Sequence, residues 1–473
     1  MGRKRIQDWS MGRIVREVRG RLISPSIEVD SPSGVSTDTR ALRGGELFFA
    51  LRGDRFDGHD FVEQAVDNGA CAVVVEDRSA QPRPDGVTIV VDDCYEALAR
   101  LGHALFRQAR QEGIHSVALT GSNGKTTTKE ILAALWGQHG TVWATPGNLN
   151  NHIGVPLTLC AMPAECDHLI VELGANHRGE IEQLIELVPA DQRIVTSIGR
   201  AHIEGFGSMA GVRKAKGEIF YHASRATSAI VPEDEAEALI PRDFSGAVLT
   251  FGTSSQADVR ITSVTSSSQG EYLQMAVRLE VGGRRMALTL PLIGRHNASN
   301  LAAAMATFVH RADKLDGEAI SDALDNIELP GGRLRIVEVG GLQVMDDAYN
   351  ANPTSMRASF RAFEEWIGGA SQVPALAVIG DMLELGKRAD REHRELASWL
   401  SDRSCLTALA FVGEFGEIMA RSALGGRVDE VFFANDHDEM AQWLGKWERA
   451  RVFIKGSRAN QLERVIEKLK SPT

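Results

Sequence analysis

Between Ser116 and Trp136 the chain changes its hydrophobic period. Val117, Ala118 and Leu119 form a short apolar run, Thr120-Gly121-Ser122-Asn123-Gly124 is polar, and beyond Lys125-Thr126 the residues Ile131, Leu132, Leu135 and Trp136 recur at helical spacing. The pattern predicts a buried strand, a glycine turn and a helix. Such a turn offers backbone N–H groups to a polyanion, Lys125 adds a point charge for the β- and γ-phosphates, and the Thr126 hydroxyl can ligate Mg²⁺. Leu119 stands where the longer G-x-x-x-x-G-K-[ST] pattern has its first glycine, so the motif is the shorter T-G-x-x-G-K-T. As a bare pattern it is either a phosphate loop or an ordinary glycine turn.

Two further apolar runs read as buried strands that end near a potential metal ligand. One is His168-Leu-Ile-Val-Glu172 and the other runs from Arg193 to Ile198, four residues before His202. Ligands of open parallel sheets sit beyond the carboxyl ends of the strands, which predicts that Lys125, Thr126, Glu172 and His202 converge on one sheet edge. Taken singly, Glu172 is as readily a surface carboxylate and His202 a hydrogen-bonded core imidazole; the shared position favours a metal–nucleotide site. From Arg260 to Leu292 apolar and polar residues alternate around Gln269-Gly270 and Gly282-Gly283, predicting antiparallel hairpins ahead of a helix at Ala298 to His310. The serine-rich piece Thr262 to Gln269 reads as a turn region.

On the amino-terminal side, strand-like runs at Glu46 to Leu51, Ala70 to Val75 and Val87 to Val91 alternate with a helical stretch at Phe61 to Asn68. Ser36-Thr-Asp38-Thr-Arg40 and Gly53 to Asp60 read as polar loops between them. Residues 1–21 carry seven basic against two acidic side chains, the pattern of a solvated arm leading into a first helix, with a partner-binding patch as the alternative. On the carboxyl side, Leu329-Pro-Gly-Gly-Arg333 is rich in breakers. Apolar runs follow at Leu342 to Met345, Ala375 to Ile379, Ala408 to Val412, Val431 to Phe433 and Val452 to Ile454, with helical segments between them. The chain therefore reads as α/β in three domains, 1–112, 113–329 and 330–473, the last a second doubly wound unit.

Charge and cysteine usage narrow the function. With 52 Lys and Arg against 63 Asp and Glu, net −11, no overall basic field exists to hold nucleic acid. Five scattered cysteines without a C-x-x-C pair argue against a disulfide framework or zinc site. No apolar run approaches the ~18 residues of a membrane span, and Ile6 breaks a myristoylation signal at Met1-Gly2. A cytoplasmic chain without membrane insertion is expected.

In this order, the motifs resemble the Mur ligase family from about Ser36 to Glu463. Thr120, Gly121, Ser122, Asn123, Gly124, Lys125, Thr126 and Thr127 resemble its short phosphate loop, and Gly147-Asn148-Leu-Asn150-Asn151 its muramoyl-substrate segment. The segments Glu172 to Ile181, Gly199 to Ser208 and Gly294-Arg-His-Asn297-Ala-Ser-Asn300 are similar to the family as well. Asp347-Ala-Tyr349-Asn350-Ala-Asn352-Pro and the loop Gly380 to Gly386 resemble the members that add a dipeptide rather than a diamino acid. Ser197, Arg178 and Leu462 depart from the usual residues.

The resemblance implies a UDP-binding first domain, a central P-loop ATPase-like parallel sheet with inserted antiparallel hairpins, and a Rossmann-like third domain. The implied reaction joins D-alanyl-D-alanine to UDP-N-acetylmuramoyl-tripeptide with ATP and Mg²⁺, through an acyl phosphate, in a monomer. Ser36, Asp38, Arg40, Asn148, Asn150 and Asn151 would hold the UDP substrate, and Tyr349, Asn350 and Asn352 the dipeptide. Asn297 and Asn300 would read adenine, Asp347 the ribose and Arg333 the phosphates. Thr126 and Glu172 would ligate the metals, with His202 on the second, and Lys216, otherwise a solvated helix lysine, would be carbamylated. Lys125, Glu172, His202 and Lys216 are the expected catalytic set. Arg333 and Asp347 reach the nucleotide only if the third domain closes over it.

Overall fold

The computed structural model describes residues 2–23, 31–53, 56–76, 87–201, 203–269, 272–312, 316–327, 329–368 and 373–470. Three sheets follow one another along the chain. The first comprises β1 (Arg21–Ile23), β2 (Gly34–Ser36), β3 (Glu46–Phe49), β4 (Ala72–Glu76) and β5 (Thr88–Val91), in the order β1-β5-β4-β3-β2. β3, β4 and β5 are buried or nearly so along their whole length. Parallel strands covered on both faces need such continuous apolar runs, and among the described residues only β1 pairs antiparallel, at the edge.

The second sheet comprises β6 (His115–Thr120), β7 (Val142–Ala144), β8 (His168–Glu172), β9 (Gln192–Val195), β10 (Ser228–Pro232), β11 (Ala247–Gly252), β12 (Val259–Gln269), β13 (Tyr272–Val281) and β14 (Arg284–Leu290). Its order is β14-β13-β12-β11-β10-β9-β6-β8-β7. β6 lies between β8 and β9, both parallel to it, so the chain leaves β6 toward one side and later returns to the other. That reversal opens a crevice beyond Thr120, Glu172 and Val195, the place where such sheets take ligands. β12, β13 and β14 form the expected antiparallel meander. The serine-rich piece is not a turn: β12 runs to Gln269, and Val264 and Ser266 pair with Val277 and Met275. Serine and threonine stay in the strand because pairing with the apolar β13 decides the backbone where intrinsic preference is weak.

The third sheet comprises β15 (Arg335–Val339), β16 (Leu342–Asp346), β17 (Ala375–Ile379), β18 (Ala408–Val412), β19 (Glu430–Ala434) and β20 (Ala450–Lys455), ordered β15-β16-β20-β17-β18-β19. β20, last in sequence, sits between β16 and β17, in register Asp346 to Ile454 and Ile379 to Lys455. The residues following β16 therefore stand beside Lys455 at the carboxyl ends.

The basic amino-terminal arm is packed rather than solvated. Ile6, Trp9, Ile14 and Val18 are fully buried, Arg5 is 4% exposed, and the Arg5 guanidinium pairs with Glu112 and donates to the Ala164 carbonyl at 2.8 Å. The backbones also meet, Arg5 N–H to Met162 O at 3.0 Å and Ala164 N–H to Arg3 O at 2.8 Å. The apolar residues interleaved with the arginines outweigh the charge count, and the arm ties helix Cys94–Gln111 to the Met162–Ala164 segment.

Candidate active site

The turn after β6 is built so that only glycine fits at its end. Gly124 has φ 81°, and a Cβ there would stand 2.1 Å from Asn300 Oδ1. Helix Lys125–Gly137 begins at the next residue. Hydroxyls of the neighbouring strand end hold the turn: Ser197 Oγ accepts from Asn123 N–H at 3.0 Å, and Thr196 Oγ donates to Asn123 O at 2.6 Å. Ser122 bonds Gly199 in both directions, at 3.1 and 2.9 Å, and Thr120 Oγ1 donates to Leu173 O at 2.8 Å. Ser197, where Asn is usual, is thus part of the frame.

Lys125 Nζ donates to Gly121 O at 2.9 Å, which folds the side chain back over the turn. Burial and, after the opposing pull of Glu172, the Arg333 charge hold its ammonium below the ordinary lysine pKa. Thr126 Oγ1 donates to Glu172 Oε2 at 2.9 Å, and Asn150 Nδ2 donates to Oε1 at 2.8 Å. Glu172 is 3% exposed, so these two bonds offset the cost of burying its carboxylate. A hydroxyl and a carboxylate converging at a phosphate turn form a hard oxygen donor set that fits Mg²⁺, which takes few protein ligands and completes its shell with phosphate and water.

The third domain supplies the opposite wall. The Arg333 guanidinium stacks 3.9 Å over the Tyr349 ring while its Nε is buried without a hydrogen-bond partner among the described residues. Lys455 Nζ is paired with the Asp347 carboxylate and donates to Asn350 O at 2.9 Å. On helix Arg295–Val309, Asn300 Nδ2 donates to Asn297 Oδ1 at 2.9 Å and Asn297 Nδ2 to Ile293 O at 2.7 Å. Together these groups line one cavity of ≈ 810 Å³ between the second and third sheets, which Asn148, Asn150 and Asn151 also reach.

Other expected residues lie apart from it. Ser36, Asp38 and Arg40 are outside the cavity wall: Ser36 Oγ donates to Asp38 O at 3.0 Å, and the exposed Arg40 pairs with Asp38 at 2.7 Å, holding that carboxyl below its usual pKa. His202 lies outside the described residues. Lys216, on helix Met209–Gly217, is not on the wall either, yet it is 1% exposed rather than solvated. Its ammonium sits 5.3 Å from the centroid of the Phe206 ring, and burial, aided by the Lys125 charge, pushes its pKa down to about 7.

The ionisable wall residues outside the expected set are Glu180, Arg295, His296 and Lys455. Lys455 carried a usable signal, since it closes a strand ahead of Gly456-Ser457 and strand carboxyl ends face the ligand. Glu180, Arg295 and His296 gave none: each stands within Glu172 to Ile181 or Gly294 to Asn300, but nothing local separates it from its polar neighbours.

The chain matches the Mur ligase middle domain at residues 119–308, the Mur ligase glutamate ligase domain at 332–458 and the Mur ligase family catalytic domain at 32–118. It is 33% identical over 461 residues to the UDP-N-acetylmuramoyl-tripeptide–D-alanyl-D-alanine ligase of Bacillus subtilis, covering 96% of this chain and 97% of that one. Among solved structures, MurF from Acinetobacter baumannii superposes with a TM-score of 0.84 at 31% identity, covering 98% of each chain. MurF from Thermotoga maritima in complex with ADP gives 0.78 at 26%, covering 92% of this chain and 97% of that one. A three-sheet architecture, a short phosphate turn facing groups of a third domain, and likeness along nearly the whole length agree: this chain belongs to the Mur ligase family.

Proposed function

We propose that this chain is an ATP-dependent ligase that joins D-alanyl-D-alanine to the terminal carboxylate of UDP-N-acetylmuramoyl-tripeptide, releasing ADP and phosphate. The observation that carries the reading is the single cavity in which Lys125, Thr126 and Glu172 of the central sheet face Arg333, Asp347 and Tyr349 of the third. A simple nucleotide switch would need only the phosphate turn and would leave the opposite wall without a purpose.

Carbonyl chemistry sets the order of events. A carboxylate is a poor acyl electrophile, so one of its oxygens first attacks the γ-phosphorus, ADP departs, and an acyl phosphate remains. The neutral amine of the dipeptide then attacks the acyl carbon; the C–O bond breaks, phosphate leaves, and the amine loses a proton to solvent. An α-amine with reference pKa ~8 is partly neutral at cellular pH, so no dedicated base is required. Bringing a carboxylate against a triphosphate crowds negative charge. Lys125 offsets it on the transferring group, and Arg333 offsets it from the third domain. Mg²⁺, held by Thr126 and Glu172 with His202 on a second ion, supplies further charge neutralisation when bound.

Within this reading Asn297 and Asn300 face adenine and Asp347 the ribose. Ser36, Asp38, Arg40, Asn148, Asn150 and Asn151 hold the UDP substrate, while Tyr349 and Asn350 face the dipeptide. Lys216 acts as its carbamate. The chain works as a cytoplasmic monomer, and no helix among the described residues is long and apolar enough to cross a membrane.

Purified protein given ATP, Mg²⁺, UDP-N-acetylmuramoyl-tripeptide and D-alanyl-D-alanine should release phosphate and form the pentapeptide by mass. With the dipeptide omitted, a heavy oxygen isotope in the β–γ bridge of ATP should still scramble into the β-nonbridge positions. Scrambling that required the dipeptide would count against the acyl phosphate. Glu172→Ala should raise the Mg²⁺ concentration for half-maximal rate by about tenfold or more, since a carboxylate ligand is lost. An unchanged metal requirement would remove Glu172 from the metal set.

A further inference from the structure

The side chain of Asn352 has both of its ends spoken for. Its Oδ1 accepts from Ser355 N–H at 2.8 Å and its backbone N–H donates to Ser355 Oγ at 3.0 Å, the reciprocal capping box that starts helix Pro353–Ile367. With Oδ1 committed to the cap, the outward group must be the amide nitrogen, which donates to Asn123 Oδ1 at 2.8 Å. Asn352 lies on the cavity wall, and what sets it apart there is that its amide bridges to the phosphate turn.

Asn123 is equally fixed from its own side. Its backbone N–H and C=O are held by Ser197 and Thr196 at the end of β9, and it lies two residues before Lys125. The Asn352–Asn123 bond therefore joins two rigid bodies, the first turn of a third-domain helix and the phosphate turn itself. Arg200 flanks it, donating its backbone N–H to Thr354 Oγ1 at 3.4 Å and pairing with Glu392 at 3.1 Å. At the other end of the same six-residue loop, Lys455 holds the Asp347 carboxylate and the Asn350 carbonyl. The loop is thus anchored to the third sheet at one end and to the phosphate turn at the other.

We propose that Asn352 is a positioning residue that locks the third domain onto the phosphate turn through Asn123, and not a ligand of the dipeptide. Locking places Arg333 and Asp347 over the nucleotide, so the bond serves the first chemical step, acyl-phosphate formation, before any amine is present. The inference rests on the ligase reading above.

Asn352→Ser separates the roles, because serine is also a good helix cap but is too short to reach Asn123. The measurements are isotope scrambling in ATP with the UDP substrate and no dipeptide, KM for D-alanyl-D-alanine in the full reaction, and thermal unfolding as a check on folding. Asn352→Ser should slow scrambling roughly fivefold to tenfold, the value of one neutral hydrogen bond, with KM for the dipeptide changed less than about twofold. Asn123→Ala should match it, and the double variant should be no slower than the worse single one. Scrambling at the wild-type rate with a raised dipeptide KM would overturn the proposal and return Asn352 to the dipeptide, as would additive losses in the double variant. Absence of scrambling in the wild-type protein would instead strike the acyl-phosphate reading beneath it.

Discussion

Lys125→Ala is expected to lower turnover by at least about a thousandfold at every Mg²⁺ concentration, because the lost charge faces the phosphoryl group being transferred. The geometry explains why added metal would not compensate. Lys125 Nζ bonds Gly121 O, whereas the neighbouring oxygen donors Thr126 and Glu172 bond each other, so the fixed charge and the donor set are different groups. A cation supplied to the donor set does not replace the fixed charge. The contrast with Glu172→Ala is the informative part: that variant should recover as Mg²⁺ is raised, while Lys125→Ala should not. Steady-state rates across a metal titration decide it, and parallel recovery of both variants would undo the division of roles. Lys125→Arg would keep the charge but not the compact ammonium, and the left-handed Gly124 beside Asn300 leaves the turn little freedom to make room.

The same turn shows what could be read from the chain and what could not. Strand, glycine turn and helix were legible because a change of hydrophobic period is a local signal, and the convergence of Lys125, Thr126 and Glu172 followed from a rule about strand ends. The third sheet was legible for the same reason, down to the bounds of Ala375–Ile379 and Ala408–Val412. Pairing across domains was not. Nothing near Asn352 says that its amide reaches Asn123, and nothing near Asp347 says that Lys455, a strand inserted from the far end of the chain, will neutralise it. The amino-terminal arm failed in the other direction. Its charges dominate a count, but its fold is decided by where Ile6, Trp9, Ile14 and Val18 find a surface to cover, which a count of charges does not register.

Lys216→Ala is expected to be nearly inactive, with partial recovery in acetate or formate and none in chloride at equal ionic strength, while Lys214→Ala behaves as wild type. The two lysines are two positions apart on one helix, yet Lys214 is exposed and Lys216 is 1% exposed. A buried ammonium with a neighbouring Lys125 charge is unfavourable, and its pKa falls to about 7, so near neutral pH a large fraction is free amine. A free amine can react with CO₂. The Nζ lone pair attacks the carbon, an N–C bond forms, one proton passes to water, and the product is a carbamate anion where a cation stood. That change turns repulsion of Lys125 and of a nearby divalent ion into attraction, and gives a long arm ending in carboxylate-like oxygens. A small carboxylate can occupy the same place once the side chain is removed, but chloride offers no pair of oxygens. Wild-type rates in Lys216→Ala would refute the assignment, and equal rescue by any salt would reduce the group to a counter-charge. Mass spectrometry adds a readout independent of rate: isotopically labelled CO₂ trapped on the folded chain should map to Lys216 and disappear in Lys216→Ala but not in Lys214→Ala.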